Sequence, residues 1–255
     1  MSKKSIGILV SFALLATLSA FAQETPGTGN VGRMYFSKPM PGHVAEYIEV
    51  TKRHHDFHRS KGDPWTWNTW EIVSGAESGQ YLTGTFWHQW GDFDNPPVST
   101  SEDNADYLET IAPHEASWKG EHVVYMPDHS YPPEDMSIQP LYVLYRIKIK
   151  PGHAEAYLNA VKKIPEAARK ADVPWRYNFW RVADGGSVPS FYVSIPLSSW
   201  ADRAEQGSPF EEFVTKAYGR GEAHAILHAI DKAIAYETSM VLEYRPDLSY
   251  VPDSE

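Results

Sequence analysis

The stretch Met34-Tyr35-Phe36-Ser37-Lys38-Pro39-Met40-Pro41-Gly42-His43-Val44-Ala45-Glu46-Tyr47 decides the fold. It returns 110 positions later as Leu144-Tyr145-Arg146-Ile147-Lys148-Ile149-Lys150-Pro151-Gly152-His153-Ala154-Glu155-Ala156-Tyr157. Extended without a gap, residues 33–92 match residues 143–202 at 15 of 60 positions, among them Trp65/Trp175, Asn68/Asn178, Trp70/Trp180 and Gly75/Gly185. Ordinary composition gives roughly four such matches. The ends echo as well, Pro127-Asp128-His129-Ser130-Tyr131 against Pro246-Asp247-Leu248-Ser249-Tyr250. The sequence reads as a duplicated unit of roughly 100 residues, a domain's length and too long for a solenoid repeat.

Each unit shows the same order of elements. In the second, Leu141–Ile149 is β-branched and aromatic and predicts a strand, and Pro151-Gly152 turns the chain. Ala154 to Ala171 has helical spacing, with Pro165 placed to kink it. Tyr177–Val182 and Phe191–Ile195 flank Asp184-Gly185-Gly186, a hairpin signal. A second helix, interrupted near Gly219 and Gly221, carries Phe213 through Ile234, and Ser239–Tyr244 closes the unit. The first unit follows with Arg33–Lys38, His43–Ser60, Thr66–Val73, Tyr81–His88, Asp103–Trp118 and Glu121–Met126. The order is βαββαβ, the ferredoxin-like arrangement. An α+β class is expected, with two tandem ferredoxin-like units packed sheet-to-sheet as an intramolecular α+β barrel. Trp70 and Trp180 should mark the shared core.

The run Ile147-Lys148-Ile149-Lys150-Pro151-Gly152-His153-Ala154-Glu155-Ala156-Tyr157 resembles the opening of the dimeric α+β barrel proteins, including the antibiotic-biosynthesis monooxygenase-like and NIPSNAP-like groups. The resemblance implies two face-packed ferredoxin-like sheets. It leaves the chemistry open, because this superfold hosts many activities.

Bulk features narrow the classes. Residues 1–22 show a basic start at Lys3 and Lys4, an apolar run from Ile6 to Ala20, and Ala20-Phe21-Ala22 before Gln23, the pattern of a secretory leader, with an uncleaved anchor as the alternative. A flexible lead-in at 23–32, unit one at 33–131, a polar linker at 132–140, unit two at 141–250 and a tail at 251–255 complete the expected organisation. Export to the periplasm or medium is expected, with no stable membrane insertion after cleavage. There is no cysteine, so neither a lipid-anchoring cysteine nor a disulfide is available. Net charge is −10, and losing Lys3 and Lys4 with the leader makes it −12. Such a surface repels phosphate backbones, which argues against nucleic acid as a partner.

The two copies act as each other's control. In unit two the first helix presents Tyr157, Val161, Ile164 and Ala168; unit one has Tyr47, Thr51, His54 and His58 there. At 100° per residue, Val44, Tyr47, Ile48, Thr51, His54, His55 and His58 share an arc of about 120°, and Asp56 lies opposite. His54 and His58, four apart, point the same way, the spacing helical metal sites use. The same histidines could instead be half-exposed or bonded to backbone carbonyls. His88, opposite Ser198 of the second copy, is the third histidine of interest. The strand Trp65-Thr66-Trp67-Asn68-Thr69-Trp70 is echoed by Trp175-Arg176-Tyr177-Asn178-Phe179-Trp180; alternation puts Asn68 and Trp70 on one face, Trp65 and Trp67 on the other. The resemblance suggests a role for Asn and Trp, since some cofactor-independent monooxygenases of this fold hold an aromatic substrate with them. An asparagine closing a bulge and a tryptophan packed between sheets would account for the same retention. Pro-Gly-His reads as turn chemistry, and His224 and His228 fall off the apolar stripe and should be solvated.

The leading expectation is an exported small-molecule-binding protein, of oxygenase type, taking an apolar or aromatic ligand. His54, His58 and Asn68 are its candidate catalytic residues, and Tyr47, Trp70, His88, Asn178 and Trp180 its candidate ligand-binding residues. The alternative is a non-catalytic structural or interaction module using a Trp-rich surface, such as a homo-oligomer interface. Haem enters through the resemblance, since chlorite dismutases and dye-decolourising peroxidases build on this fold with a helix histidine on iron. The remaining motifs of those families are not recognised here and no distal polar group can be assigned, so no haem is expected; satisfied buried histidines are common, so no resident metal is expected either. A divalent metal between two imidazoles and a third donor such as His88 is the competing reading. It turns on whether the nitrogens of His54 and His58 converge.

Overall fold

The computed structural model describes residues 29–204 and 210–252; the leader read at 1–22 lies outside these residues. Unit one runs β1 (Val31–Pro39), α1 (Val44–Ser60), β2 (Asn68–Ser74), β3 (Tyr81–His88), α2 (Thr100–Thr110) and β4 (Glu115–Tyr125). Unit two runs β5 (Leu141–Ile149), α3 (Ala154–Val161), α4 (Ile164–Ala171), β6 (Asn178–Asp184), β7 (Ser190–Leu197), α5 (Phe210–Ala233) and β8 (Ile234–Tyr244). All pairings are antiparallel, and the strands close into one barrel in the order β1-β3-β2-β8-β5-β7-β6-β4. Two seams join the units. One pairs β2 with β8, placing Trp70 opposite Tyr244; the other pairs β4 with β6, placing Tyr125 opposite Trp180.

The period-two alternation of the strands sorts side chains between two kinds of core. Met34, Phe36, Trp70, Ile72, Leu82, Val123, Leu144, Trp180, Tyr192 and Leu242 fill the barrel interior. The intervening residues face the helices. In unit two, Val143, Ile147 and Ile149 pack there against Tyr157, Val161, Ile164, Ala168, Phe213 and Ile226. A polar tie also crosses between units: the Arg146 guanidinium donates to the Glu77 carboxylate at 3.1 and 3.3 Å and to the Tyr192 hydroxyl at 2.9 Å. Tyr192 in turn donates to Glu121 at 2.7 Å.

Several boundaries differ from the sequence reading. Asp103–Trp118 is not one helix: α2 ends at Thr110, and β4 already begins at Glu115. β8 likewise starts at Ile234 and not at Ser239. In both places long-range strand pairing extends a strand back into residues that a local pattern assigns to helix. Pro165 does more than kink its helix, since α3 and α4 are separate, and Gly219 (φ 75°) breaks the helical path of α5 as expected. The linker is no plain spacer: Ile138 is buried against the barrel core. No helix among the described residues is long and apolar enough to cross a membrane.

Gly185 and Gly152 both take positive φ, at 76° and 79°. A Cβ on Gly185 would sit 2.0 Å from the Gly120 carbonyl oxygen, whereas one on Gly152 would meet nothing within 4 Å. Gly152→Ala should therefore cost only the left-handed penalty, about 1–2 kcal/mol. Gly185→Ala should cost clearly more, because the β4–β6 seam must move. Urea unfolding of the two variants checks the order, and equal losses would refute it.

Candidate functional site

The outward face of β1, β3 and β4, the segment before β2, the loop at 96–98 and helices α1 and α2 line a cavity of about 250 Å³. Its lining includes Tyr35, Tyr47, Thr51, His54, His55, His58, Asp63, Trp65, Trp67, Asp103, Tyr107, Glu115 and Trp118. At this level of unit two, Ile164, Ala168 and Phe213 are buried in the helix–sheet core. These three stand 110 positions after His54, His58 and Asp103.

The polar side of the cavity is an ordered cluster of histidines and aspartates. His54 Nδ1 donates to Asp106 Oδ2 at 2.6 Å, and His58 Nδ1 donates to Asp63 Oδ2 at 2.7 Å. Their Nε2 atoms both approach Asp103 Oδ1, at 3.3 and 3.4 Å. Asp63 is fixed in turn by the backbone N–H of Trp65 at 2.9 Å and the indole N–H of Trp67 at 3.2 Å. Burial disfavours the charged form of His58, but hydrogen bonds and negative charge from Asp103 and Asp63 prevail and raise it to about 9. Burial would likewise raise the Asp103 carboxyl, yet His54 and His58 hold it well below the usual carboxylate range. Three carboxylates around two imidazoles thus create a strong demand for positive charge at the centre of the cluster.

The neighbouring histidine does something else. His55 Nε2 donates to the Leu248 carbonyl at 2.9 Å, tying α1 to the chain after β8. Burial first, and then the adjacent His54 and His58, lower it to about 3, so it stays neutral. Its Nδ1 is buried without a partner, as is Oε1 of Glu115. Burial also raises the Glu115 carboxyl, whose other oxygen accepts from the Tyr107 hydroxyl. Both residues belong to the cavity lining, but these two atoms are themselves shut off from it.

The residues singled out from the sequence do not form one site. Tyr47, His54 and His58 line the helix–sheet cavity. Trp70, Asn178 and Trp180 face the barrel interior and border a smaller cavity of about 100 Å³ there. Asn68 is fully buried, its amide oxygen accepting from the Tyr244 hydroxyl at 3.3 Å. Alternation turns Asn68 away from the histidines, so it does not act beside them. His88 does not join the cluster either: its Nε2 pairs with the Thr85 hydroxyl at 2.6 Å and its ring lies 4.2 Å from that of Trp65. The third donor is Asp103. His224 and His228 are exposed, as expected.

Asp63, Asp103, Asp106 and Glu115 were not candidates from the sequence. Asp103 carried a usable signal, since Phe213 stands 110 positions on, the same polar-for-apolar exchange that marked the histidines. Asp63, opposite Val173, carried it too. Haem does not suit this donor set. An axial histidine needs one nitrogen facing an open plane, whereas both Nε2 atoms here face one carboxylate and both Nδ1 atoms are tied to others.

No family model and no curated protein matches the chain. Solved structures do. A protein described as a candidate monooxygenase from Lactobacillus acidophilus aligns with TM-score 0.52 and 12% identity over 89% of this chain and 98% of that one. An anthrone oxidase-like protein aligns with TM-score 0.56 and 14% identity over 85% and 91%. A mutant chlorite dismutase from Candidatus Nitrospira defluvii aligns with TM-score 0.51 and 9% identity over 86% and 92%. At these identities the likeness is one of fold: the chain has the architecture of the dimeric α+β barrel proteins, with both sheets supplied by one polypeptide.

Proposed function

We propose that the chain is an exported small-molecule-binding protein whose ligand site is the helix–sheet cavity of unit one. One observation carries this reading: unit one lines a cavity with histidine, aspartate and tryptophan at the level where unit two buries Ile164, Ala168 and Phe213. A fold that only had to be stable would fill both. The tryptophan and tyrosine faces of the lining favour a flat aromatic ligand, and the Asp103 carboxylate, 37% exposed, is placed to accept from a hydroxyl or N–H donor on it. The finer reading is an oxygenase-type enzyme acting on that ligand beside His54 and His58, by analogy with the candidate monooxygenase and the anthrone oxidase-like protein. A duplication followed by loss of the site in the second copy accounts for the asymmetry.

The probe is 1-naphthol, an aromatic hydroxyl compound, titrated into EDTA-treated protein while tryptophan fluorescence is read. Saturable one-to-one quenching is expected, weakened at least tenfold by Asp103→Phe, which introduces the side chain of the second unit. Asp103→Phe removes the carboxylate that faces His54 and His58, so its melting temperature should fall, and the titration is run well below it. Quenching that does not saturate, or that Asp103→Phe leaves unchanged, would defeat the reading. Export has a separate check: mass spectrometry of protein secreted from a bacterial host should find Gln23 as the first residue.

A further inference from the structure

We propose that His54, His58 and Asp103 bind one divalent first-row transition-metal ion through the two imidazole Nε2 atoms and the Asp103 carboxylate, with the remaining coordination positions open to the cavity. One ligand atom from each residue lies within 4.8 Å of the others. The spacing is the more telling observation. Metal–ligand bonds of about 2.0–2.1 Å at tetrahedral angles set neighbouring donors about 3.3–3.4 Å apart. Asp103 Oδ1 stands 3.3 Å from His54 Nε2 and 3.4 Å from His58 Nε2.

The surroundings prepare these nitrogens for a metal. A ligating histidine characteristically donates its other ring N–H to a carboxylate, which fixes the tautomer and raises the basicity of the free nitrogen. Both histidines do so, His54 to Asp106 at 2.6 Å and His58 to Asp63 at 2.7 Å. Asp63 is itself held by two N–H groups, so the support extends one layer further. The ligand chemistry, two imidazoles and one carboxylate, suits iron(II), cobalt(II) or zinc(II); magnesium and calcium prefer all-oxygen sites. The second unit again serves as control. Its residues at the three ligand positions and at Asp63 are Ile164, Ala168, Phe213 and Val173, all buried and all without a donor. Ligands and support are present together in one unit and absent together in the other.

This site deepens the ligand-binding reading of the same cavity but does not depend on it, because the donors converge whatever the organic ligand is. The test uses untagged mature protein, stripped with EDTA and desalted, and titrated with cobalt(II) under visible absorption and calorimetry. One ion per chain is expected, with d–d bands of a four- or five-coordinate site. Asp103→Asn and His54→Ala should each weaken binding at least 100-fold. Asp106→Asn, which removes only support, should weaken it 10–100-fold. His224→Ala, in the exposed histidine pair on α5, should change nothing. Should His54→Ala fail to fold, Asp103→Asn and Asp106→Asn, at partly exposed positions, still decide. The proposal is overturned if no stoichiometric binding occurs, if Asp103→Asn binds cobalt like the parent, or if binding follows His224. Failure with cobalt while 1-naphthol still saturates the EDTA-treated protein removes the metal alone. The opposite pattern removes the aromatic-ligand reading and leaves the metal.

Discussion

Asp63→Ala should destabilise the metal-free protein by about 3–5 kcal/mol, the range for removing one partner of a buried ion pair. Asp63 is 3% exposed and His58 is likewise 3% exposed, so water cannot replace the lost carboxylate. The substitution strands the His58 Nδ1–H, the Trp65 backbone N–H and the Trp67 indole N–H at once. For a chain of this size the melting temperature should fall by more than about 6 °C. Asp63→Asn keeps an acceptor and should lose less. Urea unfolding in the presence of EDTA measures both, and a loss below about 1 kcal/mol for the alanine variant would show that the pair is solvated.

Trp180→Ala should cost about 3–5 kcal/mol, as large aromatic truncations in cores do. Trp180 belongs to unit two, but its ring packs 5.5 Å from Phe86, 5.4 Å from Trp87 and 5.1 Å from Tyr125, all of unit one. The loss should therefore appear as one cooperative transition at lower denaturant, with no separate unfolding of unit two. Trp200, 54% exposed, is the control, and Trp200→Ala should stay within about 0.5 kcal/mol. Two resolved transitions in the Trp180 variant would show that the units do not share a core.

The architecture was legible because its signals are local or repeated. Tyr81–His88 and Leu141–Ile149 are found at the bounds read from β-branched and aromatic runs, and the assignment of Trp70 and Trp180 to the barrel interior follows from alternation alone. What failed was set by distant partners. Glu115–Trp118 reads as helix from its neighbours and becomes strand because β1 pairs with it across the sheet. The site was half legible. His54 and His58 stood out because the positions 110 residues on are aliphatic, while Asp103 and Asp106 come from α2 and Asp63 from the turn after α1, and the packing of α2 on α1 brings them together. Trp70 lies across the sheet from the histidines, a separation that one sequence does not reveal.

The closure of the barrel by one chain has a consequence for how such a protein can change. When two identical subunits build a barrel, every substitution is made twice, so a cavity opened in one half is opened in the other, with its loss of packing doubled. Here the β2–β8 and β4–β6 seams join halves that are encoded separately. One half can hold buried aspartates and histidines while the other, with Ile164, Ala168 and Phe213 in its helix–sheet core, carries more of the stability. The second unit can thus act as a permanent built-in scaffold for the first, and substitutions that would ruin a symmetric pair become tolerable on one side only.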